Sequence, residues 1–203
     1  MNIAIIGGGA SALFCALNIN KNYNVTIFCN EEKLGKKILV TGNGRCNLSN
    51  ISIYDDSYNV NLDYYFSRFS PAETLDYFNS LGLEVYQDDE GRVYPISNTA
   101  TSVVDILTRE IEKCNNIQIK LNTKVEFVQK QASQYVVNNE YIFDKVVVCT
   151  GSVTDILNCL NIKFNSFVPS LMAVKTQQNT KRLSGQKLSN VKVTLKYSGG
   201  TKV

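Results

Sequence analysis

The first thirty residues constrain this chain more than any other stretch. A continuous apolar run, Ile3 to Ile6, leads into Gly7-Gly8-Gly9-Ala10-Ser11-Ala12. Such a run predicts a strand buried on both faces. Leu13, Phe14, Ala16 and Leu17 then give a helical face, and Val25 to Phe28 repeats the buried-strand pattern. Strand, glycine turn, helix, strand is the opening of a dinucleotide-binding unit. A turn without side chains lets backbone N–H groups and a helix N-terminus approach a pyrophosphate closely. The Gly7-x-Gly9-x-x-Ala12 spacing alone is a weak signal, which a tight packing turn also satisfies. Its place between a strand and a helix, with a second strand following, gives it weight.

The rest of the chain reads as alternating elements. Residues 30–61 are polar and loop-like. Ser70-Pro71-Ala72-Glu73 is a capping box with proline at the first helical position, and Leu75, Phe78 and Leu81 mark one face. This predicts a helix over 71–81, with Gly82 as its stop. Leu83–Gln87 and Arg92–Tyr94 read as short strands around an Asp-Asp-Glu-Gly turn. Val103, Val104, Leu107, Ile111 and Cys114 recur at helical spacing and predict a second helix over 99–114. Ile117–Ile119, Val125–Val128, Tyr135–Val137 and Tyr141–Phe143 read as a strand and an antiparallel meander. Lys145–Cys149 reads as a further buried strand, ending in Thr150-Gly151. Leu171–Lys175 and Val191–Tyr197 alternate like strands of a different, antiparallel unit.

Composition removes several function classes. The 203 residues carry 21 basic and 18 acidic side chains with no basic stripe, so nucleic acid is not an expected partner. There is no histidine, which excludes His-based triads and argues against a zinc site; no metal is expected. The six cysteines form no CxxC pair and fit a reducing compartment rather than a disulfide scaffold. No apolar run reaches membrane-spanning length and no basic leader precedes the first strand, so the expected setting is the cytoplasm, without a membrane partner.

Three further features bear on a site. The acid that binds a nucleotide ribose should lie about twenty residues past the glycine turn, at the end of the second strand. Cys29 stands there instead, followed by Asn30 and Glu31. Thr41-Gly42-Asn43-Gly44-Arg45-Cys46-Asn47 joins two glycines to side-chain donors, which suits a phosphate or a flavin edge; a glycine turn with a solvated arginine is the other reading. Thr150-Gly151 closes a strand on the same expected edge of the sheet.

Gly7-Gly8-Gly9-Ala10-Ser11, the run from Leu34 to Asn47 (LGKKILVTGNGRCN) and Glu90-Gly91-Arg92-Val93-Tyr94-Pro95 resemble the BaiN-like family of bacterial NAD(P)/FAD-dependent oxidoreductases. Val168-Pro169-Ser170-Leu171 and Leu183-Ser184-Gly185 resemble that family's inserted domain. The resemblance implies FAD as cofactor and NAD(P)H as a candidate electron donor. It places Gly7, Gly9, Ala10 and Ser11 at the pyrophosphate, and Cys29 and Asn30 by the adenosine ribose. It places Lys37, Thr41, Gly42, Asn43, Gly44, Arg45 and Cys46 along the path to the flavin ring. Val125 would flank the adenine through its backbone, and Thr150 and Gly151 would close over the phosphates. Arg45 would stabilise negative charge on the ring, and Cys46 reads as a small packed residue rather than a redox thiol.

The expected fold class is α/β: a glutathione-reductase-like, Rossmann-type FAD-binding domain with an antiparallel β-meander over 1–160, and the start of an inserted β-rich domain over 161–203. Family members continue beyond that point and return to the FAD domain. A missing C-terminal half, or self-association through the face it would cover, is therefore an expected partner beside a small-molecule substrate. The expected function is a flavin-dependent oxidoreductase with no catalytic residue assignable. The alternative is a non-catalytic fragment with weak or no FAD binding, favoured by Cys29. An NAD-only dehydrogenase or nucleotide-dependent transferase is disfavoured by the meander and the 41–47 loop.

Overall fold

The computed structural model describes residues 1–53, 57, 58, 60–152, 154–168, 177–183, 192 and 194–202. The opening follows its sequence pattern. Strand β1 (Asn2–Ile6) enters the glycine turn, helix α1 (Ala10–Asn18) leaves it, and β2 (Asn24–Phe28) returns parallel to β1, pairing Ile3 with Val25 and Ile6 with Phe28.

The loop-like stretch after β2 holds a 3-10 turn, Ile38–Gly44, interrupted at Thr41–Asn43, and a short strand, β3 (Ser49–Asn50). A one-turn helix, α2 (Asp63–Phe66), follows. Helix α3 (Pro71–Ser80) has the expected capping box: the Glu73 N–H donates to Ser70 Oγ at 3.2 Å, and the Ser70 N–H donates to Glu73 Oε2 at 2.6 Å. Strands β4 (Val85–Gln87) and β5 (Arg92–Pro95) form a hairpin, with β3 on the other side of β5. Helix α4 (Ala100–Glu112) begins where the Thr99 hydroxyl accepts the Thr101 N–H, and buries Val103, Val104, Ile106, Leu107 and Ile111.

Strand β6 (Ile117–Lys120) leads to an antiparallel meander of β7 (Val128–Gln131), β8 (Gln134–Val137) and β9 (Tyr141–Phe143), then to β10 (Lys145–Val148) and the short helix α5 (Asp155–Cys159). The central sheet is wholly parallel, in the order β10-β1-β2-β6. Both of its faces are covered, as a parallel sheet requires. Ile5, Val25 and Ile27 pack with α1 and α4 on one face. Ala4, Ile6 and Phe28 pack with the meander residues Val128, Val137 and Phe143 and with Ile156 of α5 on the other.

Two sequence expectations change. Val125–Val128 is not a strand: β7 starts only at Val128, because the Asn138 side chain takes the Lys124 carbonyl and the Glu126 and Phe127 N–H groups out of any ladder. Lys145–Cys149 is not fully buried either; Val146, Val147 and Val148 are half-buried because β10 is the edge strand of the sheet.

Contacts divide the chain into two compact units, Met1–Asn165 and Ser166–Val203. In the second, β11 (Leu195–Tyr197) pairs antiparallel with β12 (Gly200–Lys202). The expected strand Leu171–Lys175 lies outside the described residues, as do 191 and 193 of the expected strand Val191–Tyr197. Residues 169–171 and 184–185 of the inserted-domain motifs also lie outside them. Among the described residues no helix is long and apolar enough to cross a membrane.

Candidate functional site

The parallel strands all point their C-terminal ends to one edge, and the chain reverses its winding between β1 and β10. Ligand crevices of open α/β sheets form at that switch point. The glycine turn after β1, residues 29–31 after β2, residues 121–125 after β6 and Thr150-Gly151 after β10 all lie at this edge.

The three glycines of the turn differ in what demands them. A Cβ on Gly7 would stand 2.3 Å from the Cys149 carbonyl oxygen, and its φ is +124°. A Cβ on Gly8 would stand 2.3 Å from Cys29 Sγ. Both are therefore glycine because the protein's own atoms crowd them. Around the Cβ position of Gly9 no atom lies within 4 Å. Gly9 is the N-cap of α1, it offers no side-chain cap, and no acidic residue follows in the first turn. The first helical bond runs from the Leu13 N–H to the Gly9 carbonyl at 3.1 Å, which leaves the N–H groups of Ala10, Ser11 and Ala12 free of it. Ala10 and Ser11 are exposed.

The loop after β2 is fastened to this turn. The Gly35 N–H donates to the Gly8 carbonyl at 2.7 Å, and Leu34 is buried beneath it. Gly35 has φ +70° and a Cβ there would meet Val104 of α4 at 2.9 Å. The wedge carries two lysines to the edge. Lys36 pairs with Glu31 at 2.6 Å. Lys37 has no carboxylate partner among the described residues, and its Nζ lies 3.9 Å from the Cβ position of Gly151. Two residues 114 positions apart are thus neighbours over the phosphate side.

Cys29 is 2 % exposed. Its thiol packs under Gly8 and reaches the Lys33 carbonyl at 3.8 Å. Burial pushes the thiol's pKa up, so it is a neutral packing group. The residue stands at the strand end where a ribose-binding acid is expected, but its side chain serves the core. Asn30, beside it, is exposed.

The 41–47 loop is folded on itself. The Thr41 hydroxyl donates to the Ile38 carbonyl at 2.7 Å, and the Cys46 N–H donates to the Thr41 carbonyl at 3.1 Å. Gly42, Asn43, Gly44 and Cys46 all have positive φ. In a non-glycine residue such as Cys46 that conformation is uncommon and tends to accompany functional loops. Arg45 lies on the ring of Tyr94, and its Nε donates to the Gly42 carbonyl at 3.4 Å. Cys46 is buried; burial raises its pKa and a hydrogen bond with Thr41 pulls the other way. Thr41, Asn43 and Gly44 are exposed.

Val125 sits two residues past Thr123, whose N–H donates to the Cys29 carbonyl at 2.9 Å. It is 9 % exposed, and among the described residues its own N–H and C=O make no hydrogen bond. Buried backbone groups are rarely left so. Sequence reasoning missed three parts of this arrangement: the Gly8–Gly35 fastening, Tyr94 as the platform for Arg45, and Asn138. Only the last left a signal, an Asn-Asn pair between two strands.

An open cradle at Gly9, free helix N–H groups, a lysine across it and an unpaired backbone edge at Val125 together fit a dinucleotide such as FAD. The sequence model of the HI0933-like protein Rossmann domain matches residues 1–155. The chain is 35 % identical over 160 residues to a 3-dehydro-bile acid delta(4,6)-reductase of Clostridium scindens, covering 73 % of this chain and 38 % of that protein. It is 28 % identical over 158 residues to the ribosomal RNA dihydrouridine synthase of Escherichia coli, covering 74 % and 39 %. It therefore spans about two fifths of the length of these curated relatives. The crystal structure of Thermovibrio ammonificans THI4 shares the fold at 15 % identity and a TM-score of 0.53, over 79 % of this chain and 61 % of that one. The resemblance read from the motifs is borne out, and the chain belongs to the HI0933-like Rossmann domain family.

Proposed function

We propose that this chain holds FAD and forms the nucleotide-binding part of a flavin-dependent oxidoreductase. The observation that carries the reading is the open side of Gly9 at the uncapped N-terminus of α1, with Lys37 beside Gly151 on the same edge. Gly9, Ala10 and Ser11 would bind the pyrophosphate through backbone N–H groups, and Lys37 would offset its charge. Gly7 and Gly8 shape the turn from beneath. Asn30 would meet the ribose in place of the inward-turned Cys29, and the Val125 backbone would meet the adenine. The 41–47 loop, stiffened by Arg45 on Tyr94, would border the ring, with Thr150 and Gly151 over the phosphates.

Bound there, FAD supplies hydride transfer, with NAD(P)H as the donor we propose. The names of the two curated relatives share a reaction type, saturation of a C=C bond conjugated to a carbonyl group. We infer that the small-molecule substrate is an electron-poor alkene of that class. The first unit is then the FAD-binding domain, and the second the start of an inserted β-rich domain. One observation favours the alternative, a non-catalytic chain that binds FAD weakly: no carboxylate occupies position 29.

The test is the visible absorption spectrum of the purified chain, before and after incubation with FAD and gel filtration. Flavin bands that travel with the protein support the reading. Their bleaching by NADPH or NADH, and return with cyclohexenone, would support the donor and acceptor class. A chain that keeps no flavin at excess FAD overturns the proposal.

A further inference from the structure

The segment that would meet the adenine is not held by a ladder. It is held by one side chain, Asn138. Asn138 Oδ1 accepts the N–H of Glu126 at 2.9 Å and that of Phe127 at 3.3 Å, and Asn138 Nδ2 donates to the Lys124 carbonyl at 2.8 Å. The Asn138 N–H adds a bond to the Phe127 carbonyl at 2.9 Å. These bonds take the backbone on both sides of Val125 and leave the Val125 N–H and C=O unpaired. The Val125 side chain is fixed meanwhile in the core with Ala4, Ile6 and Phe28.

Turn chemistry accounts for an asparagine at 138, but not for this network. Asn138 and Asn139 have φ of +51° and +57°, and the Glu140 N–H donates to the Val137 carbonyl, which makes a tight turn within the loop between the paired residues Val137 and Tyr141, and such left-handed positions favour asparagine. Asn139 satisfies the same turn with an exposed side chain and no side-chain hydrogen bond among the described residues. The reach of Asn138 across to residues 124–127 is extra.

We propose that Asn138 is the positioning residue of the base subsite. It holds residues 124–127 out of the sheet so that the Val125 N–H and C=O form a donor–acceptor pair for the edge of an adenine. This rests on the FAD reading above. An N–H donor beside a C=O acceptor matches adenine, whose N1 accepts and whose 6-amino group donates. Hypoxanthine presents the reverse, N1–H and a 6-oxo group, and is mismatched at both atoms.

The experiment compares ADP and IDP, which differ only in this edge, by calorimetry on the full chain. Wild type is expected to bind ADP at least tenfold more tightly than IDP. Asn138→Gly, which keeps the left-handed turn, should bring the ratio close to one, while Asn139→Gly leaves it unchanged. Amide hydrogen exchange on the wild type reads the same arrangement without a variant. Glu126 and Phe127 should be protected without nucleotide, and Val125 only once ADP is added. Absence of ADP binding in wild type overturns the nucleotide reading itself. An equal ADP-to-IDP preference in wild type and Asn138→Gly overturns the role of Asn138 alone, as does a Val125 amide that ADP does not protect.

Discussion

Arg45 lies over Tyr94, its guanidinium carbon 4.0 Å from the ring centroid. Tyr94 is a buried residue of β5, and Arg45 belongs to a loop that holds several left-handed residues. The ring is therefore the fixed partner and the loop the guided one. Arg45→Lys keeps the charge but not the stacking plane. It should lower stability by about 0.5–1 kcal/mol, the size of a partly exposed cation–π contact. The shift of the urea midpoint at unchanged slope measures this. Tyr94→Leu should cost more, because a buried aromatic ring is also lost.

Gly7 and Gly9 should separate cleanly under the same substitution. Gly7→Ala places a Cβ 2.3 Å from the Cys149 carbonyl oxygen at φ +124°, and the chain should fail to fold or melt far lower. Gly9→Ala meets no protein atom, and its φ of −88° and ψ of −170° suit alanine. The protein should keep its melting temperature. FAD affinity should fall about tenfold or more, roughly 1.4 kcal/mol, since the methyl enters the space the pyrophosphate needs. Paired thermal melts and flavin titrations decide it. A Gly9→Ala protein that binds FAD normally would show that the open side of the turn is not the phosphate cradle.

The thiols give a pH dependence. Burial is the main cause that raises the pKa of Cys15, Cys29, Cys46 and Cys149 above the ordinary thiol value of 9.0. The native state then holds thiol protons that the unfolded state releases. The stability this contributes is complete below the unfolded pKa and is lost as pH rises through the raised native values. Melting temperature should thus fall above about pH 9, and replacing Cys29 by alanine should flatten part of that decline. In the native chain at pH 8 a disulfide reagent should modify exposed Cys159 quickly, and buried Cys29 and Cys46 only on unfolding.

What the sequence carried was local. Ile3–Ile6, the glycine turn and Val25–Phe28 announce their elements because burial on two faces and a tight turn leave periodic signs. Ser70 and Glu73 announce a helix start because the cap is made by residues three apart. Val125–Val128 misleads because a short alternating segment says nothing of a side chain at 138 that claims backbone groups beside Val125. Lys145–Cys149 reads as buried because three valines look alike at a centre and at an edge. Cys29 falls at the right position, but only the contact with Gly8 tells that its thiol turns inward. Gly7 looks like a ligand glycine in the pattern; its crowding by Cys149 is long-range and leaves no local trace.

Lys37 offers the most direct reading of the phosphate side. Its stem belongs to the wedge that Gly35 fastens to Gly8, and its Nζ stands 3.9 Å from the Cβ position of Gly151 with no carboxylate partner among the described residues. An unpaired cation on a fixed loop contributes to anion binding by charge, and that contribution is screened by salt. Lys37→Met keeps much of the stem and removes the charge. It should leave the unfolding stability within about half a kcal/mol of wild type, as surface substitutions away from structural features do. FAD and ADP affinity should fall about five- to tenfold at low ionic strength, with a smaller difference at high salt. Titrating both nucleotides at two salt concentrations checks this. Lys36→Met serves as the control: Lys36 is paired with Glu31, and its loss should perturb nucleotide binding less. An equal loss from both variants would mean that the edge acts through overall charge rather than through the placement of Lys37 over Gly151.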